Sequence, residues 1–272
     1  MAEEKIKNLE TEKISEEVKK IEENPEIKKL IEKEEEIEKE TVKEIEKMSK
    51  EEFLLEKERI AKEEKLAIWK PKTKLGQLVR EGKIKSIDEI LDNKIKIMEP
   101  EIVDSLLQLK TDLILIGQSK GKFGGGKRRA WKQTQKKTKE GNIPTFACMV
   151  VVGDSNGHVG LGYGKAKETL PAREKAIRKA KLNIIKVKRG CGSFDCSCSD
   201  VHSIPLKMSG KVSNSRIILL PAPRGTGLVI DNECKKILKL AGIKDIYSQT
   251  FGQTRTKINL AKACVEALEK LK

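Results

Sequence analysis

The chain has 272 residues, of which 37% are hydrophobic, 36% charged and 3% aromatic, and its net charge is +15. The sequence contains no run of about 18 apolar residues, the length that a membrane-spanning helix needs. Its start, MAEEKIKNLE, lacks the apolar stretch of a signal peptide. These features predict a soluble, cytoplasmic protein that makes no membrane contact. In that compartment its six cysteines would be reduced thiols or metal ligands.

The first 68 residues differ in charge from the rest. They form a Glu/Lys-rich extension with 16 basic and 23 acidic residues, which leaves a net charge of +22 on the remaining chain. Apolar positions in the extension are sparse and Pro25 interrupts them, so we expect a helical or partly disordered segment and not a domain. The cationic excess downstream favours a polyanionic partner, and nucleic acid fits best. A well-solvated surface without a partner is the alternative.

Residues 69–111 are predicted to form a helical lead-in. Ser86 and Glu89 have the spacing of a helix-capping pair. After Pro100, the apolar residues Ile102, Leu106 and Leu109 recur at helical spacing. This helix would lead directly into the folded body.

A strongly basic segment follows, which we interpret as a long loop between two strands. From Lys120 to Lys139 it contains nine Lys or Arg residues and no acid, with Phe123 and Trp131 among them. Cations in such a loop can contact phosphates, and an aromatic ring can stack on a base. A charged loop without a fixed partner is the alternative. The candidate RNA-binding residues here are Lys120, Lys122, Lys127, Arg128, Arg129, Trp131, Lys132, Lys136, Lys137 and Lys139.

The glycine-rich stretch GDSNGHVGLGYGKAKET, residues 153–169, invites comparison with a phosphate-binding loop. Val159 stands where a Walker loop needs glycine, and Ala166 stands where it needs Ser or Thr. Asn156-Gly157 between two apolar runs instead predicts a β-hairpin. Glycines then alternate along the second strand and bare one face, where RNA or a neighbouring chain could approach. Lys165 and Lys167 would supply phosphate contacts, and no nucleotide would bind.

A helix is predicted from Pro171, with alanines on one face and cations on the other. Arg173 falls within the apolar stripe and must reach outward or bind something at its edge. A short strand, IIKVKRG, follows and carries Lys188 and Arg189. From Ser203 the sequence alternates strand, turn, helix, strand and helix, which predicts a second α/β layer. The remaining candidate RNA contacts are Arg173, Lys188, Arg189, Arg224 and Arg255.

The segment CGSFDCSCSDVH places Cys191, Cys196, Cys198 and His202 within twelve residues. Three thiolates and one imidazole make a complete tetrahedral shell for structural zinc, although the Cys-x-Cys spacing is tight. The alternative is a set of reduced structural thiols, with the imidazole hydrogen-bonded to RNA or protein. The other three cysteines, Cys148, Cys234 and Cys264, occupy apolar positions and are predicted to lie in the core.

Three long blocks resemble one protein family: NIPTFACMVVVGDSNGHVGLGYGKAKET, SIPLKMSGKVSNSRIILLPAPRGTGLV and AGIKDIYSQTFGQTRTKINLAKACVEAL. They are similar to the fifth protein of the small ribosomal subunit in its archaeal form, from about Trp69 to the C-terminus. The resemblance implies an α+β fold with a double-stranded-RNA-binding-like domain over residues 112–190. It also implies a connecting Cys/His loop over residues 191–202 and a β/α domain over residues 203–272.

The resemblance further implies a seat on small-subunit rRNA where incoming mRNA enters, beside the third, fourth and eighth small-subunit proteins. Decoding fidelity and mRNA unwinding are functions of that family. The segment QKKTKEGN, ending at Asn142, corresponds to a family loop that reaches rRNA. The acidic extension and the long segment SKGKFGGGKRRAWK depart from the family pattern. Two rival hypotheses are a stand-alone double-stranded-RNA-binding protein and a nucleotide-using enzyme.

Overall fold

A computed structural model describes residues 66, 68–119, 126, 128–198 and 200–271. The extension, apart from residues 66 and 68, lies outside this description. Three short helices open the described chain: α1 (Lys74–Arg80), α2 (Ile87–Asp92) and α3 (Pro100–Leu106). Ser86 precedes α2 as predicted, but its hydroxyl donates to the Glu89 carboxylate at 2.8 Å and does not cap a backbone amide.

Buried Glu99 organises this lead-in. Its carboxylate accepts hydrogen bonds from the indole Nε1 of Trp69 at 2.9 Å and from the main-chain amides of Lys72 at 2.9 Å and Thr73 at 2.7 Å. Burial alone would raise the pKa of the Glu99 carboxyl, but these hydrogen bonds lower it overall. The ionised carboxylate therefore holds the segment before α1 against the residue that precedes α3.

The first sheet has five antiparallel strands: β1 (Lys110–Ile114), β2 (Lys132–Thr138), β3 (Gly141–Gly153), β4 (His158–Ala166) and β5 (Ile184–Lys186). Strands β1 and β2 pair with different stretches of the same edge of β3, while β4 lies on its other side, followed by β5. The predicted hairpin at Asn156-Gly157 is confirmed, because it joins β3 to β4. Helix α4 (Thr169–Leu182) covers one face of this sheet.

The second sheet contains β6 (Met208–Val212), β7 (Ser215–Pro221), β8 (Leu228–Val229) and β9 (Ile246–Gly252), in the order β6-β7-β9-β8. Only β8 and β9 run parallel among these strands of the described chain. Helix α6 (Lys257–Glu269) packs on one face of it, and helix α5 (Asn232–Leu240) lies beside α6 in the same buried cluster. The predicted α+β class, with two sheet-and-helix layers, is confirmed. The exact domain boundaries stay predictions.

One core joins the two sheets. Met149 and Val151 of β3 pack in the same buried cluster as Ile237 of α5 and Leu260 of α6. The prediction that Cys148, Cys234 and Cys264 are core residues is confirmed, since all three are fully buried. A second cluster lies between the other face of β3, helix α4 and the lead-in helices. Strand β3 is therefore buried on both faces along its second half.

The hairpin between β3 and β4 is fixed by His158. Its imidazole Nδ1 lies 2.7 Å from the Asp154 carboxylate, and its Nε2 lies 3.1 Å from the Asp88 carboxylate on α2. The hydrogen bond with Asp154 raises the pKa of His158 despite its burial. His158 therefore holds the turn and ties the hairpin to the lead-in.

Candidate nucleic-acid interface and metal centre

The β2–β3 hairpin carries the densest group of described candidate RNA contacts. The first part of β3, residues 141–145, pairs with β2 alone, so the hairpin extends beyond the other strands of the sheet. Its turn at residues 139–140 ends in Gly141, whose φ of +120° suits glycine. The exposed candidates on it are Lys132, Lys136, Lys137, Lys139 and Asn142.

This arrangement corrects one prediction. The basic segment from Lys120 to Lys139 is not one loop, because residues 132–138 form strand β2. The segment has no apolar alternation, so its pattern resembled a loop. The strand is specified by its partner instead, through backbone pairing with β3 and a 2.8 Å hydrogen bond between the hydroxyls of Thr134 and Thr145.

The base of the remaining loop is closed by backbone contacts. The amide of Gly117 donates to the carbonyl of Arg129 at 2.8 Å, and Ser119 forms an antiparallel bridge with Arg128. Arg129 is exposed, whereas Arg128 is partly buried. Trp131 is partly buried and packs beside the cluster under α4, which leaves it less available for base stacking than predicted. Lys120, Lys122 and Lys127 lie outside the described residues.

Strand register brings two further candidates close to the hairpin. Ala147 of β3 pairs with Lys132 on one side and with Lys165 on the other. Directly opposed residues share a face of the sheet, so both lysines flank Ala147 in one row. Lys165, Lys167 and Arg173 are all exposed near the junction of β4 and α4. This row links the hairpin to the end of β4, next to which Lys167 and Arg173 are exposed.

The other candidates belong to other segments of the chain. Lys188 and Arg255 are exposed. The guanidinium of Arg189 donates to the carbonyls of Ser155 at 3.3 Å and Asn156 at 2.9 Å, so it holds the β3–β4 turn. Arg224 is exposed and pairs with Asp200 at 2.8 Å.

The sequence analysis expected the glycine-bared face of β4 to meet RNA or a neighbouring chain. This expectation is wrong. The face is covered by α4 of the same chain. A Cβ atom on Gly160, Gly162 or Gly164 would lie 2.0–2.2 Å from a carbonyl oxygen of the helix. The opposing helix positions are Ala172, Ala176 and Ala180. These glycines therefore serve close packing between helix and strand, and their face offers no cradle for a phosphate.

The Cys/His segment converges as its composition predicts. The ligand atoms of Cys191, Cys196, Cys198 and His202 all lie within 4.8 Å of one another. The Sγ atoms of Cys191 and Cys198 are 3.6 Å apart, and Cys196 Sγ is 3.7 Å from His202 Nε2. In a tetrahedral zinc shell the corresponding separations are about 3.8 Å and about 3.6 Å. The Sγ atoms of Cys196 and Cys198 are closer, at 2.9 Å.

The imidazole of this group is oriented by a buried carboxylate. His202 Nδ1 lies 2.9 Å from Asp245 Oδ2, while Asp245 Oδ1 accepts from the amide of Gly227 at 2.7 Å. A proton on Nδ1 leaves the Nε2 lone pair facing the three sulfurs. Carboxylates commonly orient metal-binding histidines in this way. Asp245 was missed by the sequence analysis because it lies 43 residues beyond His202 with no local signal.

The contacts around Cys196 favour its deprotonated, thiolate form. Hydrogen bonds from the Cys198 thiol and from the main-chain amide of Arg224 lower the pKa of Cys196 to about 6. The same contact with Cys196 raises the pKa of Cys198 to about 11. One thiolate and one thiol therefore share a proton here. Thiolates are the form in which cysteine binds metal.

Comparison with known proteins identifies the family to which the chain belongs. Residues 130–188 match the family model described as Ribosomal protein S5, N-terminal domain, and residues 210–272 match Ribosomal protein S5, C-terminal domain. The small ribosomal subunit protein uS5 of Nanoarchaeum equitans is 53% identical over 204 residues, which are 75% of this chain and 87% of that protein. The uS5 proteins of Methanocaldococcus jannaschii and Hyperthermus butylicus are 49% and 47% identical over 203 residues, covering 75% and 74% of this chain and 87% and 88% of theirs.

The two-layer α+β fold, its cationic hairpin and these matches define the class: a structural protein of the small ribosomal subunit, and not an enzyme. The chain belongs to the uS5 family, and the three relatives named above are archaeal. The resemblance inferred from the three sequence blocks is confirmed. No helix in the described part of the chain is long and apolar enough to cross a membrane.

Proposed function

We propose that the chain binds small-subunit rRNA where incoming mRNA enters, beside the third, fourth and eighth small-subunit proteins, and contributes there to decoding fidelity and mRNA unwinding. The β2–β3 hairpin supports the proposed rRNA contact, because it extends past the sheet and exposes Lys132, Lys136 and Lys137. Phosphate neutralisation by such lysines releases counterions and stabilises the complex. The position at the mRNA path and the named neighbours follow from family resemblance.

Replacing Lys136 and Lys137 with alanine tests the hairpin contact. Each lost phosphate contact should lower the slope of log affinity against log salt by about one, so the double variant should lose about two. Binding to purified small-subunit rRNA is measured across a potassium chloride series. The matched control replaces Lys211 and Lys262, two exposed lysines on β6 and α6, with alanine. Equal slopes for the hairpin variant and the wild type would contradict this role.

We also propose that Cys191, Cys196, Cys198 and His202 hold a structural zinc ion. The donor set, the 3.6 Å and 3.7 Å separations and the carboxylate behind His202 all fit such a site. Closing the shell includes a separation of the Cys196 and Cys198 Sγ atoms by somewhat less than an ångström from their 2.9 Å distance. The ion would fix the loop between the two sheets and would take no part in a reaction.

Elemental analysis of the full chain and of purified small subunits tests the zinc site. We expect one zinc per wild-type chain and near-complete loss in a variant with Cys196→Ser and Cys198→Ser. Cys148→Ala is the control, because it removes a thiol that lies in the core and outside the cluster. A wild-type chain without zinc, or a double variant that retains it, would exclude the site.

A further inference from the structure

Phe194 is the most exposed large hydrophobic side chain among the described residues. Its relative accessibility is 108%, which means that its ring is as open to solvent as in an extended peptide. Aromatic residues make up only 3% of the sequence. A fully solvated phenylalanine gains nothing for folding, since it buries no area. Its position therefore suggests contact with something outside the chain.

The loop that carries Phe194 is held at both ends. The amide of Cys196 donates to the carbonyl of Ser193 at 3.4 Å, which places Phe194 in the middle of a tight turn. On one side of the turn, Gly190 exchanges two 2.9 Å backbone hydrogen bonds with Ser203. On the other side stand the clustered sulfurs. The ring therefore lies on a turn whose flanking residues are held by hydrogen bonds. Such a turn loses less conformational entropy when it binds a partner.

The charges around the turn decide between an RNA and a protein partner. Lys188 precedes and Lys207 follows the Gly190–Ser203 bridge in sequence, and both are exposed. The exposed Lys244 donates its main-chain amide to the carbonyl of His202 at 2.9 Å. Of the two aspartates in the segment, Asp200 is paired with Arg224, whereas Asp195, next to Phe194, is exposed. The three exposed lysines outnumber this one aspartate, and a flat ring with both faces open suits a nucleobase.

We infer that Phe194 is a stacking anchor for an unpaired nucleotide of small-subunit rRNA, and this inference rests on the proposed rRNA-binding function. The ring stacks on the base, and the nearby lysines neutralise the flanking phosphates. The contact reads an unstacked nucleotide and is distinct from the hairpin, which contacts phosphates. Exposed Val201 and Leu206 on the same loop make a protein neighbour the competing occupant.

The first experiment places the photoreactive residue p-benzoylphenylalanine at position 194 of the full chain and assembles it into small subunits. Irradiation should cross-link the protein to one or two adjacent rRNA nucleotides, which are mapped by reverse-transcription stops. A cross-link to a ribosomal protein, or none at all, overturns the inference. Loss of assembly by the wild-type chain would overturn the proposed function as well, whereas normal assembly without an rRNA cross-link overturns only the anchor.

The second experiment uses chemical probing of the same nucleotides. Phe194→Ala should raise their reactivity by about fivefold or more, because a stacking partner is lost. Phe194→Trp should keep them protected, since indole also stacks. Leu206→Ala, which removes an exposed aliphatic side chain from the same loop, is the matched control and should change nothing. An equal effect of Leu206→Ala and Phe194→Ala, or no effect of Phe194→Ala, would refute base stacking.

Discussion

Gly162→Ala should destabilise the protein strongly. A Cβ atom at position 162 would lie 2.0 Å from the carbonyl oxygen of Ala176 and 2.4 Å from the amide nitrogen of Ala180. Both atoms belong to the backbone of α4, so no side-chain rotation relieves the clash and the helix must move away from β4 by about an ångström. Overpacking of this kind costs about 1–3 kcal/mol, and we expect the upper end here.

Thermal unfolding followed by circular dichroism measures this effect. For a folded unit of this size, about 3 kcal/mol corresponds to a fall in Tm of about 6–12 °C. Gly190→Ala is the control, since its nearest contact would be an ordinary 3.6 Å from Pro205, and it should change Tm little. Adding Ala176→Gly should not rescue the variant, because the clash is with backbone atoms. An unchanged Tm for Gly162→Ala would refute the packing argument.

Three further outcomes are expected. The pKa of His158 is raised, so its contribution to stability is complete below about pH 6.5 and is lost as pH rises through the folded pKa. His158→Gln should therefore reduce the dependence of the free energy of unfolding on pH, measured by denaturant titration. Glu99→Gln removes a charge-assisted acceptor worth about 1.5–3 kcal/mol, so hydrogen exchange at residues 72–73 should accelerate, and equal exchange rates would contradict this. Asp245→Asn should weaken zinc retention against a chelator by about 10–100-fold, whereas unchanged retention would argue against an orienting role.

Sequence reasoning succeeded where one segment carries its own signal. Asn156-Gly157 between apolar runs predicted the β3–β4 hairpin, and the clustering of Cys191, Cys196, Cys198 and His202 predicted their convergence. It failed where a segment takes its structure from a distant partner. Strand β2 has no buried face, so the sequence KQTQKKT shows no alternation, and only its pairing with β3 makes it a strand.

For the glycines of β4, the sequence correctly predicted a close backbone contact but wrongly predicted which backbone makes it. Their alternation revealed that another backbone approaches closely, and the alanines of α4 recur every four residues. Neither pattern alone says that the two faces meet. With both on consecutive elements of one β-strand-to-helix connection, intramolecular packing was the simpler expectation. The sequence analysis assigned the approaching backbone to RNA or a neighbouring chain instead.

The shared core fixes the separation between the β2–β3 hairpin and the Cys/His loop, the two features proposed to contact rRNA. Glu233 of α5 accepts the Leu115 amide at 2.7 Å, and Lys236 donates to the Leu113 carbonyl at 2.6 Å, so α5 is tied to the chain at and just after β1. Met149 and Val151 extend the contact into the buried cluster. Because the sheets cannot move independently without exposing this core, the hairpin and the Cys/His loop keep a fixed separation. A rigid spacing of that kind favours recognition of a folded RNA by shape, since only one arrangement of phosphates and unstacked bases can meet both features at once.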